Sequence, residues 1–374
     1  MKIGILGGGQ LGYMFLQNAL QYPVEIFVLD PSENAPCAQH ADYFVKGDFA
    51  DYQTVVDFGE KLDAIGIEIE HVNEDALQYL KSIGIKVIPD PDTLAIIQDK
   101  SIQKRFYIDN EIPTAPYFEL EDWRELKSQN RVYPLFQKAN TGGYDGRGVQ
   151  FLKSRDDLDK QLKASSIYET PADLEKEISV VVVSDGNGHI INYPAVELVF
   201  NTEYNQLDYL LMPSSLQAEV AAETERIARE TVRKLNSAGV FAVEMFYNKD
   251  GSIWVNETAC RVHNSGHSTI EAAQSSQFDQ MLRVLMGLPL GSTALNSVSA
   301  MVNLIGAEGE TGVAEIHNFD EILKIPGAYI HWYAKEETRP GRKMGHVTFL
   351  NQDIEQLIKD VDKVNRTVKI ISKK

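Results

Sequence analysis

After Lys2 the chain runs apolar to Leu6 and then breaks into glycines at 7, 8, 9 and 12, the pattern of a short buried strand entering a turn. An amphipathic stretch follows to about residue 20, which predicts a helix, and residues 24 to 29 read as a second strand ending at Asp30. The alternation continues with a strand at 64 to 69, a helix at 74 to 82 and Val87-Ile88 before Pro89 and Pro91. Strands and helices in turn predict a small doubly wound α/β unit ending near residue 93.

Beyond it the periods change. Asp92 or Thr93 is placed to cap a helix to about residue 110, which Ile112-Pro113 ends. Strands are predicted at 132 to 137 and 149 to 152, with short β-runs such as 178 to 183 after them. A long helix is expected over 216 to 237, then a hairpin of 240 to 247 and 252 to 257 joined by Asn248-Lys249-Asp250-Gly251. A helix from about 275 runs to Gly287, and from about 295 a strand-rich unit closes with a helix over 354 to 364. The expected division is therefore 1–93, 94–294 with a lid at about 130–190, and 295–374.

At 374 residues the chain exceeds one ordinary core, in keeping with two or three domains. Its 43% hydrophobic and 24% charged residues are those of a soluble globular protein, and no apolar run reaches the ~18 residues of a membrane span. The run at 3 to 6 is too short for a signal peptide, so a cytoplasmic location is expected. Cys37 and Cys260 lack CxxC spacing, which argues against a disulfide framework or a cysteine zinc site. A net charge of −18 repels nucleic acid and anionic membranes, so an anionic ligand needs a local basic island. Lys335, Arg339, Arg342, Lys343 and His346 form one; a solvated charged loop is the plainer reading.

Candidate chemistry gathers in four places. Residues 141 to 148, Thr-Gly-Gly-Tyr-Asp-Gly-Arg-Gly, place glycines between two strands with Lys138 and Arg147 as flanking charges. Glycine lets backbone amides close on phosphate oxygens, which an ordinary hairpin turn with one or two glycines does not need. Gly7, Gly9 and Gly12 match the dinucleotide fingerprint, with Asp30 about 20 residues on, and suggest a nicotinamide-dependent dehydrogenase as the competing reading. In the hairpin, pairing Asn248 with Gly251 sets Glu244 opposite Val255 and Glu257 two places further on the same face. Such neighbours lie roughly 7 to 8 Å apart and can share a hard cation such as Mg²⁺, unless both are exposed strand residues. Finally, residues 260 to 267, Cys-Arg-Val-His-Asn-Ser-Gly-His, read as a polar substrate loop in preference to a zinc site, because a third ligand is lacking.

Together these motifs resemble the ATP-grasp superfamily, and within it the 5-(carboxyamino)imidazole ribonucleotide synthases, ATP-dependent carboxylases of purine biosynthesis. The resemblance spans nearly the whole chain and rests on residues 7–12, 141–148, 261–267 and 339–346. It implies a mixed α/β and α+β molecule: an ATP-grasp fold with an N-terminal Rossmann-like domain and a small C-terminal strand-rich domain. It further implies ATP bound by Lys100, Lys138, the lid residues Gly143, Tyr144, Asp145, Gly146, Arg147, Gly148 and Val149, the adenine segment Glu169, Thr170, Pro171 and Ala172, and Glu177 at the ribose. Glu244 and Glu257 would hold Mg²⁺, which Mn²⁺ can replace, with Asn256 beside them. Gln10, Asp145, Arg147, Ser265, His267, Lys335, Arg342 and Lys343 would meet 5-aminoimidazole ribonucleotide, and Arg261, His263 and Asn264 the bicarbonate-derived centre. A homodimer is implied as well. At Phe200 the family often carries histidine.

Overall fold

The computed structural model describes residues 1–143, 148–201 and 206–373. Its first sheet is parallel, in the order β3-β2-β1-β4-β5, from β1 (Lys2–Leu6), β2 (Glu25–Asp30), β3 (Tyr43–Lys46), β4 (Ala64–Ile67) and β5 (Lys86–Ile88). Helices α1 (Gln10–Ala19), α2 (Tyr52–Gly59) and α3 (Glu74–Ser82) make the connections. Central β1 is buried from Ile3 to Leu6, as a strand covered on both faces must be. The apolar pattern leaves β3 and α2 unmarked. β3 is an edge strand whose side chains are largely exposed, and α2 is a short helix begun by Asp51, whose carboxylate accepts from the Thr54 amide.

The single helix expected over 92 to 110 is two, α4 (Pro91–Gln98) and α5 (Lys100–Asp109). Between them Asp99 turns extended, and its carboxylate accepts from the amides of Ser101 at 2.8 Å and Ile102 at 3.2 Å. This cap starts a new axis at Lys100, whose own N–H donates to the Asn140 carbonyl at 2.8 Å. Without it, Lys100 would continue α4.

A four-stranded sheet follows, β6 (Tyr117–Leu120), β7 (Leu135–Ala139), β8 (Val149–Leu152) and β9 (Ser166–Glu169), in the order β6-β9-β7-β8. The glycine segment joins β7 to β8, with Lys138 paired to Val149. The large sheet is built from β10 (Leu174–Ser184), β11 (Ile190–Asn192), β12 (Val196–Asn201), β13 (Gln206–Met212), β14 (Gly239–Asn248), β15 (Ile253–Ala259) and β16 (Ser299–Ile305), packed by α6 (Ala218–Leu235). After α7 (Thr269–Ala272) and α8 (Gln277–Met286), the chain adds β17 (Gly312–His317), α9 (Phe319–Leu323), β18 (Ala328–Trp332), β19 (Glu337–Thr338), β20 (Lys343–Leu350), α10 (Ile354–Thr367) and β21 (Lys369–Ser372). Strand order β15-β14-β10-β12-β13-β16-β20-β18 makes the C-terminal strands an extension of the large sheet.

α8 ties the two sheets together. Phe278, Met281 and Leu285 share one apolar core with Ile5 of the first sheet and Val181 of the second. At Gly66 a Cβ would stand 2.9 Å from Met281, so glycine there permits the close approach. Burying such side chains contributes roughly 1.5–3 kcal/mol each, which fixes the first domain against the cleft. Among the described residues no helix is long and apolar enough to cross a membrane.

Candidate active site

Two one-residue shifts bring Glu244 and Glu257 face to face. The turn holds residues 249 to 251 with Gly251 at φ 87°, and Asn248 N–H closes it on Ser252 O at 2.8 Å. Met245 thus faces Val255, one place from the expected register. Beyond that pair the register slips again, leaving Asn256 as the extra residue and Glu244 directly opposite Glu257. The expected pairing of Glu244 with Val255 is therefore replaced. The bulge restores the parity that the longer turn had broken, and it turns Asn256 Oδ1 to Lys138 Nζ at 2.7 Å.

The charges on this ribbon do not balance. Ser179 pairs with Glu244 across β10 and β14, which sets Glu177, two residues along, on the same face. Burial, then Glu257 and Glu177, push the Glu244 carboxyl up to about 8. Lys100 Nζ, 2.5 Å from Glu257 Oε2, draws that carboxyl down to about 2. Burial raises Glu177 to about 7. Two of the three carboxylates on one face thus hold protons too tightly for an ordinary acid, chiefly because they are buried, and the nearby cations are engaged by other acids.

Glu169 takes two of them. Almost fully buried, it lies 2.6 Å from Lys104 Nζ and 2.6 Å from Lys138 Nζ. Burial works against its charge, yet Lys138 and Lys104 hold the carboxyl below its usual range. Lys104 was not expected here. Its signal was its spacing: four residues after Lys100 on α5, it reaches the same side of the helix. Thr170 leaves β9 with its N–H on Pro116 O at 2.9 Å, and Pro171 and Ala172 follow, partly exposed. Gly143, Gly148 and Val149 stand at the ends of the glycine segment; Tyr144, Asp145, Gly146 and Arg147 lie outside the described residues. Phe200 lies on β12, partly exposed.

The loop after β15 delivers its side chains to the same face. Arg261 Nε lies 3.1 Å from Glu70 Oε1, a partner the sequence reading missed because nothing in the spacing links the segment after β4 to this loop. His263 Nε2 is 3.6 Å from Glu244 Oε1, and its Nδ1 is 3.0 Å from Ser265 Oγ, which bonds Ser179 Oγ at 2.7 Å. Asn264 opens a short 3₁₀ turn with its Oδ1 buried and unpartnered among the described residues. His267 is fully buried, stacked on His346 with ring centroids 4.8 Å apart, and His346 stacks on His331 at 4.4 Å.

The first glycine loop is closed by the chain's own carboxylates. Gly8 N–H donates to Asp30 at 2.7 Å, while Gly9 and Leu11 donate to Glu68 at 2.5 and 3.2 Å. A pyrophosphate at this helix start would have to displace both acids, which counts against the dehydrogenase reading. Gln10, first residue of α1, meets Lys335 Nζ through its Oε1 at 2.9 Å, and Lys335 also donates to Lys343 O at 2.6 Å. Arg342, on the same hairpin, donates to Glu337 O at 2.7 Å. Residues 325 positions apart thereby border one cleft.

A divalent cation fits the ribbon. Glu244 and Glu257 are opposed, and Glu244 has a second glutamate where a cation would satisfy it. Among the described residues no three His, Cys, Asp or Glu side chains form a metal cage, so phosphate or water oxygens would complete the shell. That is how Mg²⁺ is held beside nucleotide phosphates.

Lys100 and Lys138 beside a carboxylate ribbon, with the glycine segment joining β7 to β8, are the parts of an ATP-grasp protein. Family models agree along the chain: a ribonucleotide synthetase preATP-grasp domain over residues 1–98, an ATP-grasp domain over 105–278 and a phosphoribosylaminoimidazole carboxylase C-terminal domain over 299–360. The N5-carboxyaminoimidazole ribonucleotide synthase of Bacillus subtilis is 34% identical over 96% of this chain and 94% of its own. The Thermotoga maritima synthetase structure superposes with a TM-score of 0.90 at 37% identity, covering 100% of this chain and 99% of that one. An Aspergillus clavatus synthase, solved with ADP and 5-aminoimidazole ribonucleotide, gives 0.86 at 32% identity over 97% and 98%. Against the phosphoribosylaminoimidazole carboxylases of Vigna aconitifolia and Candida glabrata, each 35% identical, the chain spans 65% and 63% of their length. The chain belongs to the N5-carboxyaminoimidazole ribonucleotide synthase family.

Proposed function

We propose that this chain uses ATP and bicarbonate to carboxylate the amine of 5-aminoimidazole ribonucleotide, giving the N5-carboxylated nucleotide, ADP and phosphate. The observation that carries the reading is Glu244 directly opposite Glu257, with Lys100 and Lys138 beside them. Bicarbonate is a poor electrophile. Attack of its oxygen on the γ-phosphorus breaks the bond to ADP and gives carboxyphosphate, which releases CO₂ beside the substrate amine. The protein must stabilise charge on the transferring phosphoryl group and keep water out until the amine reacts.

Lys100 and Lys138 bind the phosphates, exchanging their present carboxylate partners for phosphate oxygens. Glu244, Glu257 and the adjacent Asn256 hold Mg²⁺, or Mn²⁺ in its place; bound there, the ion supplies neutralisation of phosphate charge. Glu177 takes the ribose hydroxyls, and the segment from Glu169 to Ala172 borders adenine. Arg261, His263 and Asn264 orient the bicarbonate-derived group, with the buried Asn264 Oδ1 and the His263 ring facing Glu244 in support. Gln10, Ser265, His267, Lys335, Arg342 and Lys343 form the nucleotide side, Asp145 and Arg147 attend the amine, and residues 143 to 149 close over the phosphates.

The proposal includes a homodimer in the cytoplasm, with units 1–93, 94–294 and 295–374. Coupled ADP release, with ATP, bicarbonate and 5-aminoimidazole ribonucleotide omitted in turn, tests the activity. Release that needs all three supports it; release without bicarbonate points to another ATP-grasp ligase, and tight ATP binding without turnover to a nucleotide sensor.

A further inference from the structure

Gln277 sits at the first turn of α8, fully buried, and spends its whole carboxamide on the loop that carries Arg261, His263 and Asn264. Its Oε1 accepts the His263 N–H at 2.8 Å and its Nε2 donates to the His263 carbonyl at 2.7 Å. One side chain thus satisfies both backbone groups of one residue, as a neighbouring β-strand would. The backbone N–H can only donate, so the oxygen must face it, and this fixes the amide's orientation. The same Nε2 lies 3.2 Å from His267 Nδ1, which therefore accepts and leaves the His267 proton on Nε2.

The clamp is anchored at its base. Gln277 N–H donates to Thr269 Oγ1 at 2.9 Å, and Thr269 Oγ1 donates to Gly266 O at 2.5 Å. A Cβ at Gly266 would fall 2.3 Å from Gln277 Oε1, so the loop is packed directly on the amide plane. α8 itself is pinned by the core shared with both sheets. Movement of the His263 backbone would break both bonds to Gln277, taking this acceptor from its N–H and leaving its carbonyl the Gly266 N–H at 3.0 Å.

We propose that Gln277 is a positioning residue for the bicarbonate-activating step, holding the His263 backbone so that its ring stays between Glu244 and Ser265. It touches none of the proposed substrates and acts through His263. The proposal rests on the functional reading above. Only a side chain with one donor and one acceptor in a plane fits; methionine removes both, and an ionised glutamate sets an oxygen against the His263 carbonyl. Protonated glutamate restores the pattern.

The test compares wild type, Gln277→Met and Gln277→Glu. Misplacing a reacting group by about 1 Å costs about 100-fold, so Gln277→Met is expected to lose about that much bicarbonate-dependent ADP release while KM for ATP stays within about twofold. Gln277→Glu should keep most activity near pH 6 and lose about tenfold relative to wild type by pH 8.5, as its carboxyl ionises. Equal rises in KM for all substrates, or a loss in Gln277→Glu that ignores pH, would overturn the proposal, and the second variant decides alone if the first does not fold. Should wild type show no bicarbonate-dependent release, the functional reading fails, and hydrogen exchange at the His263 amide judges the clamp by itself. Protection lost in Gln277→Met, which offers the amide no acceptor, upholds it; unchanged protection refutes it.

Discussion

Glu68 and Glu244 are both acids drawn into the protein beside a loop of nucleotide-binding type, and they meet opposite surroundings. Glu68 faces the amides of Gly9 and Leu11, donors supplied by the chain itself. Glu244 faces Glu257, a second acid, with Glu177 along the same strand face. The first region is a closed account of donors and acceptors. The second has more carboxyl groups than its own cations satisfy, a surplus that a metal cation would balance. A glycine motif therefore reports a backbone shape, and the partners around it decide whether that shape holds the fold or a ligand.

The largest effect should come from the unbalanced side. Glu257→Gln removes one ribbon charge and releases Lys100, and ADP formation should fall about 1,000-fold, the scale of losing a principal electrostatic contact. Wild-type rates in that variant would take Glu257 out of the metal shell. On the closed side, Glu68→Ala leaves two amides without acceptors, at about 1–3 kcal/mol each, and denaturant midpoints should drop accordingly. The same variant should show no gain of nicotinamide nucleotide binding, because Asp30 still holds Gly8.

Smaller but more diagnostic is the pH dependence of metal binding. Glu244 keeps its proton up to about 8 in the metal-free fold, so a bound cation must displace it. Metal affinity measured by calorimetry should rise with pH by up to about tenfold per unit below that value and level off above it. Without metal, stability should fall as pH climbs from the ordinary glutamate range toward 8, since the unfolded chain loses that proton first. Glu257, held near 2, adds nothing in this window. A flat profile would place the two glutamates in separate environments. The smallest signal expected is a null one: titration with reduced nicotinamide cofactor should give no saturable micromolar binding.

How far the sequence carried this picture depends on what each residue must do locally. Helix 74–82 and strand 149–152 are found where their patterns put them, because each has its own cap or alternation. The break at Asp99 was missed, because Asp is as acceptable inside a helix pattern as at a cap until Asn140 takes the Lys100 amide. Pairing Glu244 with Glu257 required a three-residue turn and a bulge, neither of which leaves a mark in apolar periodicity. Phe200 also shows the limit, since a change at one family position says nothing of which strand neighbour it meets. Lys104 and Glu70 were overlooked because each acts on a partner more than 60 residues away, and Gln277 because it reaches back across an irregular loop to His263; spacing conveys only regular nearby geometry.

The most direct measurement is a titration with Mn²⁺, read by electron paramagnetic resonance, on wild type and on the Glu244→Gln/Glu257→Gln double variant, each with and without ATP. The account predicts a tight protein-bound ion in wild type only when ATP is present, and its loss in the double variant. An equally tight signal in the double variant, or in wild type without nucleotide, would contradict the claim that this ribbon and the triphosphate hold the metal together.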